Sequence, residues 1–237
     1  MADQLYLSLW FPNFRFESLP ATLISVMRQF ATISGSSFPE GKRVAAATAY
    51  PLSFTEAPAY QRLYVNDGRA AEGRDTEAAI IENAVGEATE QLHEDTAYEF
   101  EMRWKLWAPD VESTAPVSDL DPDGDTSYGS VALDPIWRQQ PSTVRILGFG
   151  PHFDDASFEQ NGHIRIDFGL DTPWLAETLE DDQLDDDATK HIQANVEMLL
   201  AFTLLVEKNC GISSRLLWTE SGELLAQKLI DRLQRVH

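Results

Sequence analysis

Cysteine is almost missing from this chain. Cys210 is the single one in 237 residues, so no intramolecular disulfide can form, and a reducing compartment such as the cytoplasm is expected. Lysine is scarce as well, with 5 against 13 arginines, and the 18 bases face 39 acids. Binding to a phosphate backbone relies on Lys and Arg, so a nucleic-acid partner is not expected. Long apolar runs are lacking too. The longest, Met198 to Val206, is roughly half of what a bilayer crossing needs, so no membrane span is predicted. The opening MADQLYLSLW has neither a basic segment nor a cleavage pattern, which predicts no signal peptide.

Several catalytic signatures are near-misses. Gly35 to Arg43 has one residue too many between its glycines for a phosphate loop. Gly148-Phe149-Gly150-Pro151 lacks the third glycine and the helix of a dinucleotide site. Gly211-Ile212-Ser213-Ser214 lacks the closing glycine of a nucleophile elbow.

What is present is acid, and it is clustered. Asp110 to Asp134 holds seven acidic residues and Glu177 to Asp187 holds seven more, with no base in either stretch. The rest of the chain carries 25 acids against 18 bases, a net charge of −7 instead of −21. Salt adaptation would spread acids over the whole surface, so two acidic insertions are the better reading. One or two carboxylates before a helix would satisfy its orphan N–H groups and its dipole. The surplus in Glu180 to Asp187, including Asp185 and Asp186, is a solvated loop or an interaction surface for a basic protein.

Periodicity supplies the architecture. Leu5, Leu7, Leu9 and Phe11 alternate as in a strand, and Leu19 to Ile33 recurs at helical spacing after Ser18. Val44 to Tyr50 and Tyr60 to Val65 read as strands, and Ile80 to Leu92 as a second helix. Tyr98, Phe100, Met102, Trp104 and Leu106 alternate with Glu99, Glu101, Arg103 and Lys105, which predicts a strand with one buried and one wet face. Thr143 to Phe149, Ile164 to Leu170 and Arg215 to Thr219 complete the strands, and a last amphipathic helix opens after Ser221. A helix over Ala188 to Asn209 is apolar nearly all round between Val196 and Val206, which predicts a central buried helix.

The fold class is therefore α+β, a mostly antiparallel sheet covered by helices. Strand, helix, strand, strand, helix, strand in the first half matches a ferredoxin-like order. The predicted organisation is an α+β lobe over 1–108, an acidic loop excursion over 109–141, and a second α+β lobe over 142–237 packed on the first.

Three groups of residues suggest sites. Asp119, Asp121, Asp123 and Asp125, with Gly124, reproduce the first half of an EF-hand-type calcium loop, but Ser130 stands where the bidentate Glu belongs. A solvated acidic loop without a cofactor is the expectation, with weak calcium binding as its alternative. His152 and His163, flanked by Asp154 and Asp155 in a proposed hairpin, are the candidate transition-metal ligands. Glu99, Glu101, Arg103, Lys105, Arg145 and Arg165, with His163 and Asp167, fall on outward strand positions; a solvated sheet face with cross-strand ion pairs is the expectation, with a mixed-charge binding face as its alternative. Trp107, Trp137 and Trp174 lie beside loops and are expected to be exposed. The expected function is a non-catalytic binding protein, of inhibitor or immunity type, engaging a basic partner. The alternative is a hydrolase-like enzyme with scattered residues gathered around His152 to Asp167.

Overall fold

The computed structural model describes residues 2–34, 44–51, 61–63, 77–110, 136–153, 162–175, 186–222 and 225–228, with backbone alone for 44–51, 61–63 and 77–78. Seven strands form one sheet: β1 (Gln4–Trp10), β2 (Val44–Pro51), β3 (Gln61–Leu63), β4 (Thr96–Asp110), β5 (Ile136–Phe149), β6 (Ile164–Leu170) and β7 (Ser214–Thr219). Their order is β3-β2-β4-β5-β6-β1-β7, and every pairing is antiparallel. The longer described helices are α1 (Leu19–Ser34), α2 (Glu77–Ala88) and α3 (Asp186–Asn209), with a single helical turn at Thr172–Leu175. The fold is α+β, with an antiparallel sheet. No described helix is long and apolar enough to cross a membrane.

Alternation sorts the sheet into two faces. On β4 the side chains of Tyr98, Phe100, Met102, Trp104 and Leu106 are buried, while Arg103 is exposed and Glu101 and Lys105 are partly so. The buried set joins Leu5, Leu7 and Leu9 of β1, Ile146 of β5, and Ile164, Ile166 and Phe168 of β6 in one core with Leu23, Phe30, Ile81, Leu199 and Phe202 from the helices. Aromatic rings knit its centre: Phe30 meets Phe202 edge-on at 5.4 Å, and Trp104 stacks on Phe168 at 5.5 Å. Such pairs add about 0.5–1.5 kcal/mol each beyond the burial of their area.

The strand pairing departs from the ferredoxin-like expectation. In that unit the first strand lies between the third and fourth. Here β1 pairs with β6 and β7, both far along the chain, and β4 pairs with β2 and β5. The order of elements in the first half is as read, but strands from 1–108 and from 142–237 share one sheet and one core.

The excursion is also shorter than 109–141. Pro109 and Asp110 still belong to β4, and β5 begins at Ile136, so the hairpin continues to the pair Asp110↔Ile136. Polar residues 138–140 and Pro141 disguise this end of β5. Pro141 faces Lys105 on β4, and β6 joins β5 only from Arg145 onward. A missing N–H therefore costs nothing on the open side.

α3 corrects the largest misreading. It is not buried all round: Leu199, Phe202 and Val206 are buried, whereas Leu200 is 47% and Leu204 58% exposed. Nine consecutive largely apolar residues hide which side of a helix faces the core, and α1 and the sheet cover only one. Trp174, expected to be exposed, is fully buried against Trp104 and Phe168, with its indole N–H donating to the Asn195 carbonyl at 3.2 Å.

Candidate functional site

The first polar grouping ties the chain's distant parts together. Lys228 Nζ reaches Asp171 at 3.0 Å and Asp3 at 3.3 Å, and Asp171 is fully buried. Backbone donors use the carboxylates as well, Gln4 N reaching Asp3 Oδ1 at 3.0 Å. Asp171 Oδ1 accepts from Asp3 N at 3.0 Å, and Asp3 Oδ2 accepts from Ser221 N at 3.0 Å. Burial works against ionising Asp3, but donors from Ser221, Thr219 and Lys228 outweigh it and hold the carboxyl well below its usual range. Burial likewise opposes the Lys228 charge, and Asp171 and Asp3 overcome it and raise its pKa. With its donors and acceptors turned inward on one another, this cluster reads as a structural tether. No spacing rule announces it, because its members lie 168 and 57 positions apart.

The second grouping is the mixed-charge face, and the structure does assemble part of it. Register places Glu101, Arg145 and Asp167 side by side on β4, β5 and β6. Arg145 lies 3.8 Å from Glu101 and 3.7 Å from Asp167. Glu99 is nearly buried on this face and Lys105 partly so; neither is free of partners. Arg103 is exposed. Arg165 behaves differently from the rest: its guanidinium lies 5.3 Å from the Tyr6 ring centroid and 5.1 Å from that of Phe149. Tyr6 in turn packs on Trp218 at 4.8 Å, whose indole N–H donates to Ser8 Oγ at 3.0 Å.

The two histidines of the proposed hairpin face different neighbours among the described residues. His163 N bonds to the Leu9 carbonyl at 2.9 Å, and its Nδ1 accepts from Phe11 N at 3.0 Å. The ring stacks on Phe14 at 4.2 Å. An accepting Nδ1 means a neutral ring with its proton on Nε2, and burial lowers the pKa accordingly. His152 instead joins the turn before β4, its N donating to the Glu94 carbonyl at 2.7 Å and its Nδ1 lying 3.1 Å from the Glu94 carboxylate. The two imidazoles serve different neighbours, and no group of three or more His, Cys, Asp or Glu among the described residues is arranged for a metal. Asp119, Asp121, Asp123, Asp125, Asp154, Asp155 and Asp185 lie outside the described residues.

The glycines near this hairpin have packing reasons instead of phosphate-binding ones. A Cβ at Gly148 would meet Leu19 of α1 at 2.7 Å, and one at Gly150 would strike the Glu94 backbone. At Cys210 burial pushes the thiol up, which disfavours the thiolate, and Ser25 Oγ lies 3.3 Å from the sulfur.

The third grouping is the outer side of α3, which sequence reading placed in the core. Gln193, Glu197, Leu200, Leu204 and Lys208 follow one another at intervals of three and four, so they share a face, and all are exposed. Asp186 and Asp187 occupy the first turn, also exposed. On the opposite side, the buried Asn195 side chain locks the helix to β4. Its Oδ1 accepts from Trp107 N at 2.9 Å, and its Nδ2 donates to the carbonyls of Trp107 at 2.9 Å and Pro173 at 2.8 Å. His191 lies between Trp107 at 4.1 Å and Trp137 at 5.3 Å, so both indoles are partly covered. The helix is thus fixed rigidly while presenting two leucines to solvent. The shared face of Gln193, Glu197, Leu200, Leu204 and Lys208, polar at both ends, was the available signal.

Comparison with known proteins adds no relative: the chain matches no family model, no curated protein and no solved structure.

Proposed function

We propose that this protein is a binding protein whose acidic surface receives a basic, amphipathic segment of another protein along the outer side of α3. The observation carrying this reading is the exposure of Leu200 and Leu204, 47% and 58%, on a helix held rigidly by Asn195. Exposed leucines four residues apart, continuous with a charged rim, suit a helix-in-groove or helix-on-helix partner. The rim leans acidic: Asp186, Asp187, Glu197 and Glu207 against Lys190 and Lys208. A chain of net charge −21 attracts cations at long range and repels its own copies, which selects a basic partner over a second copy of itself.

The test is calorimetric titration with a helical Leu/Lys peptide of about five turns, at low and at high salt. Binding should weaken as salt rises and should be lost in the Leu200→Ser/Leu204→Ser double variant, which keeps the fold because both side chains are exposed. Unchanged binding by that variant overturns the proposal. So does a wild-type dimer, seen by sedimentation, that the same variant disperses.

A further inference from the structure

Arg165 is unusual among the bases of the sheet. Burial closes off its Nε, which finds no acceptor. No described carboxylate or carbonyl accepts from its guanidinium either, although the chain has 39 acids to offer. Arg145, two residues away in register terms, sits between Glu101 and Asp167. Asp167 is in turn engaged by Gly169 N at 2.8 Å. Among the described residues, what holds Arg165 is two rings, Tyr6 at 5.3 Å and Phe149 at 5.1 Å.

We propose that Arg165 is the anchor of a carboxylate-binding site on the outer face of the sheet, with Tyr6 and Trp218 as the wall against which the ligand's apolar body lies. An arginine has five N–H donors, and closure of the Nε edge leaves the terminal pair Nη1 and Nη2. One N–H from each, presented in a plane, is a fork that matches the two oxygens of a carboxylate. Stacking between two rings fixes that plane in advance, so little side-chain entropy is lost on binding. The partly exposed Tyr6 and Trp218 rings, 4.8 Å apart and tilted 37° to each other, extend the site with an apolar surface.

Charge decides which anion fits. Asp167 and Glu101 stand on the same face, and the chain as a whole is at −21. A single positive group in that field tolerates one negative charge better than two, which selects a monocarboxylate over a phosphate dianion. The Tyr6 phenol stays protonated, because burial first and the Asp167 charge second raise its pKa. It therefore adds no further repulsion. The site is on a different surface from the outer side of α3, and either can fail without the other.

The experiment follows the Trp218 indole N–H by NMR, assigned with Trp218→Phe, while benzoate, neutral benzamide or inorganic phosphate is added to the full chain. Benzoate should shift the signal saturably, and benzamide and phosphate should not. Arg165→Lys keeps the charge but loses the fork, and should weaken benzoate about tenfold. Equal shifts from benzamide would mean ring stacking alone, and a stronger response to phosphate would mean general anion attraction. Either result overturns the site. Unchanged benzoate affinity in Arg165→Lys also overturns it. The three-probe comparison on the unaltered protein keeps the proposal testable if the variant folds poorly.

Discussion

Lys228 between Asp3 and Asp171, and Arg145 between Glu101 and Asp167, are the same chemistry twice: one cation flanked by two carboxylates. In the first, the contacts are 3.0 and 3.3 Å, Asp171 is fully buried, and the N–H groups of Asp3 and Gln4 take the oxygens that Lys228 leaves. In the second, the contacts are 3.7 and 3.8 Å and half of Arg145 faces water. A buried pair has been stripped of water and depends wholly on its partners. An exposed pair exchanges them freely with solvent. Residue type therefore says little about what a charge does here; burial and the count of remaining donors say most.

The largest expected effect comes from breaking the buried cluster. Lys228→Met leaves Asp171 charged, buried and without its cation, and should cost about 3–5 kcal/mol in chemical denaturation. A loss below about 1 kcal/mol, the ceiling for exposed pairs, would erase the distinction drawn between the two clusters.

The same contrast runs around α3, using apolar groups. Leu199→Ala, on the buried side, should cost about 2–5 kcal/mol. Leu204→Ala, five residues onward and exposed, should stay within about 0.5 kcal/mol. Equal losses would show that both sides of α3 are covered.

Acid separates buried from exposed groups in a third way. His163 is held neutral, with its pKa below the ordinary 6.5. Its contribution is fully present above that value and is lost as pH falls through the lowered pKa in the fold. Asp3 has a depressed carboxyl pKa, so its contribution is present above the usual carboxylate range and goes only at stronger acid. Stability measured by urea midpoint should thus fall in two stages on acidification. His163→Gln, which cannot be protonated, should remove the earlier stage and leave the later.

The smallest effect should be Arg145→Ala. Its two contacts are long and half of Arg145 faces water, so the loss should be about 0.2–1 kcal/mol and should shrink further in salt. A loss of several kcal/mol would place Arg145 in the same class as Lys228.

Legibility in the sequence followed the range of the physics involved. β4 was plain because alternation is local: Tyr98 to Leu106 point inward at every second position, and nothing distant is needed to know it. The outward placement of Arg165 followed from Ile164, Ile166 and Phe168 for the same reason. Its stacking between Tyr6 and Phe149 was hidden, since it depends on β1 and β5 lying on either side of β6. The Asp3–Asp171–Lys228 cluster was hidden for the same cause. α3 was misread for a different one. In MLLAFTLLV every position is apolar or nearly so, and period alone cannot pick the buried side; only the polar residues at either end, Gln193 and Lys208, mark the wet one. β5 was read short because Pro141 resembles a strand breaker wherever its missing N–H is not known to face an open side.

The place of β1 has a consequence for how the chain is made. Its seven residues emerge before both of its neighbours, β6, ending at Leu170, and β7, ending at Thr219. At a synthesis rate of about 5–20 residues per second, β1 waits on the order of 10–40 s for both edges to be occupied. During that time Leu5, Leu7 and Leu9 form an apolar row on a strand with no partner on either side. Non-local closure of this kind slows folding.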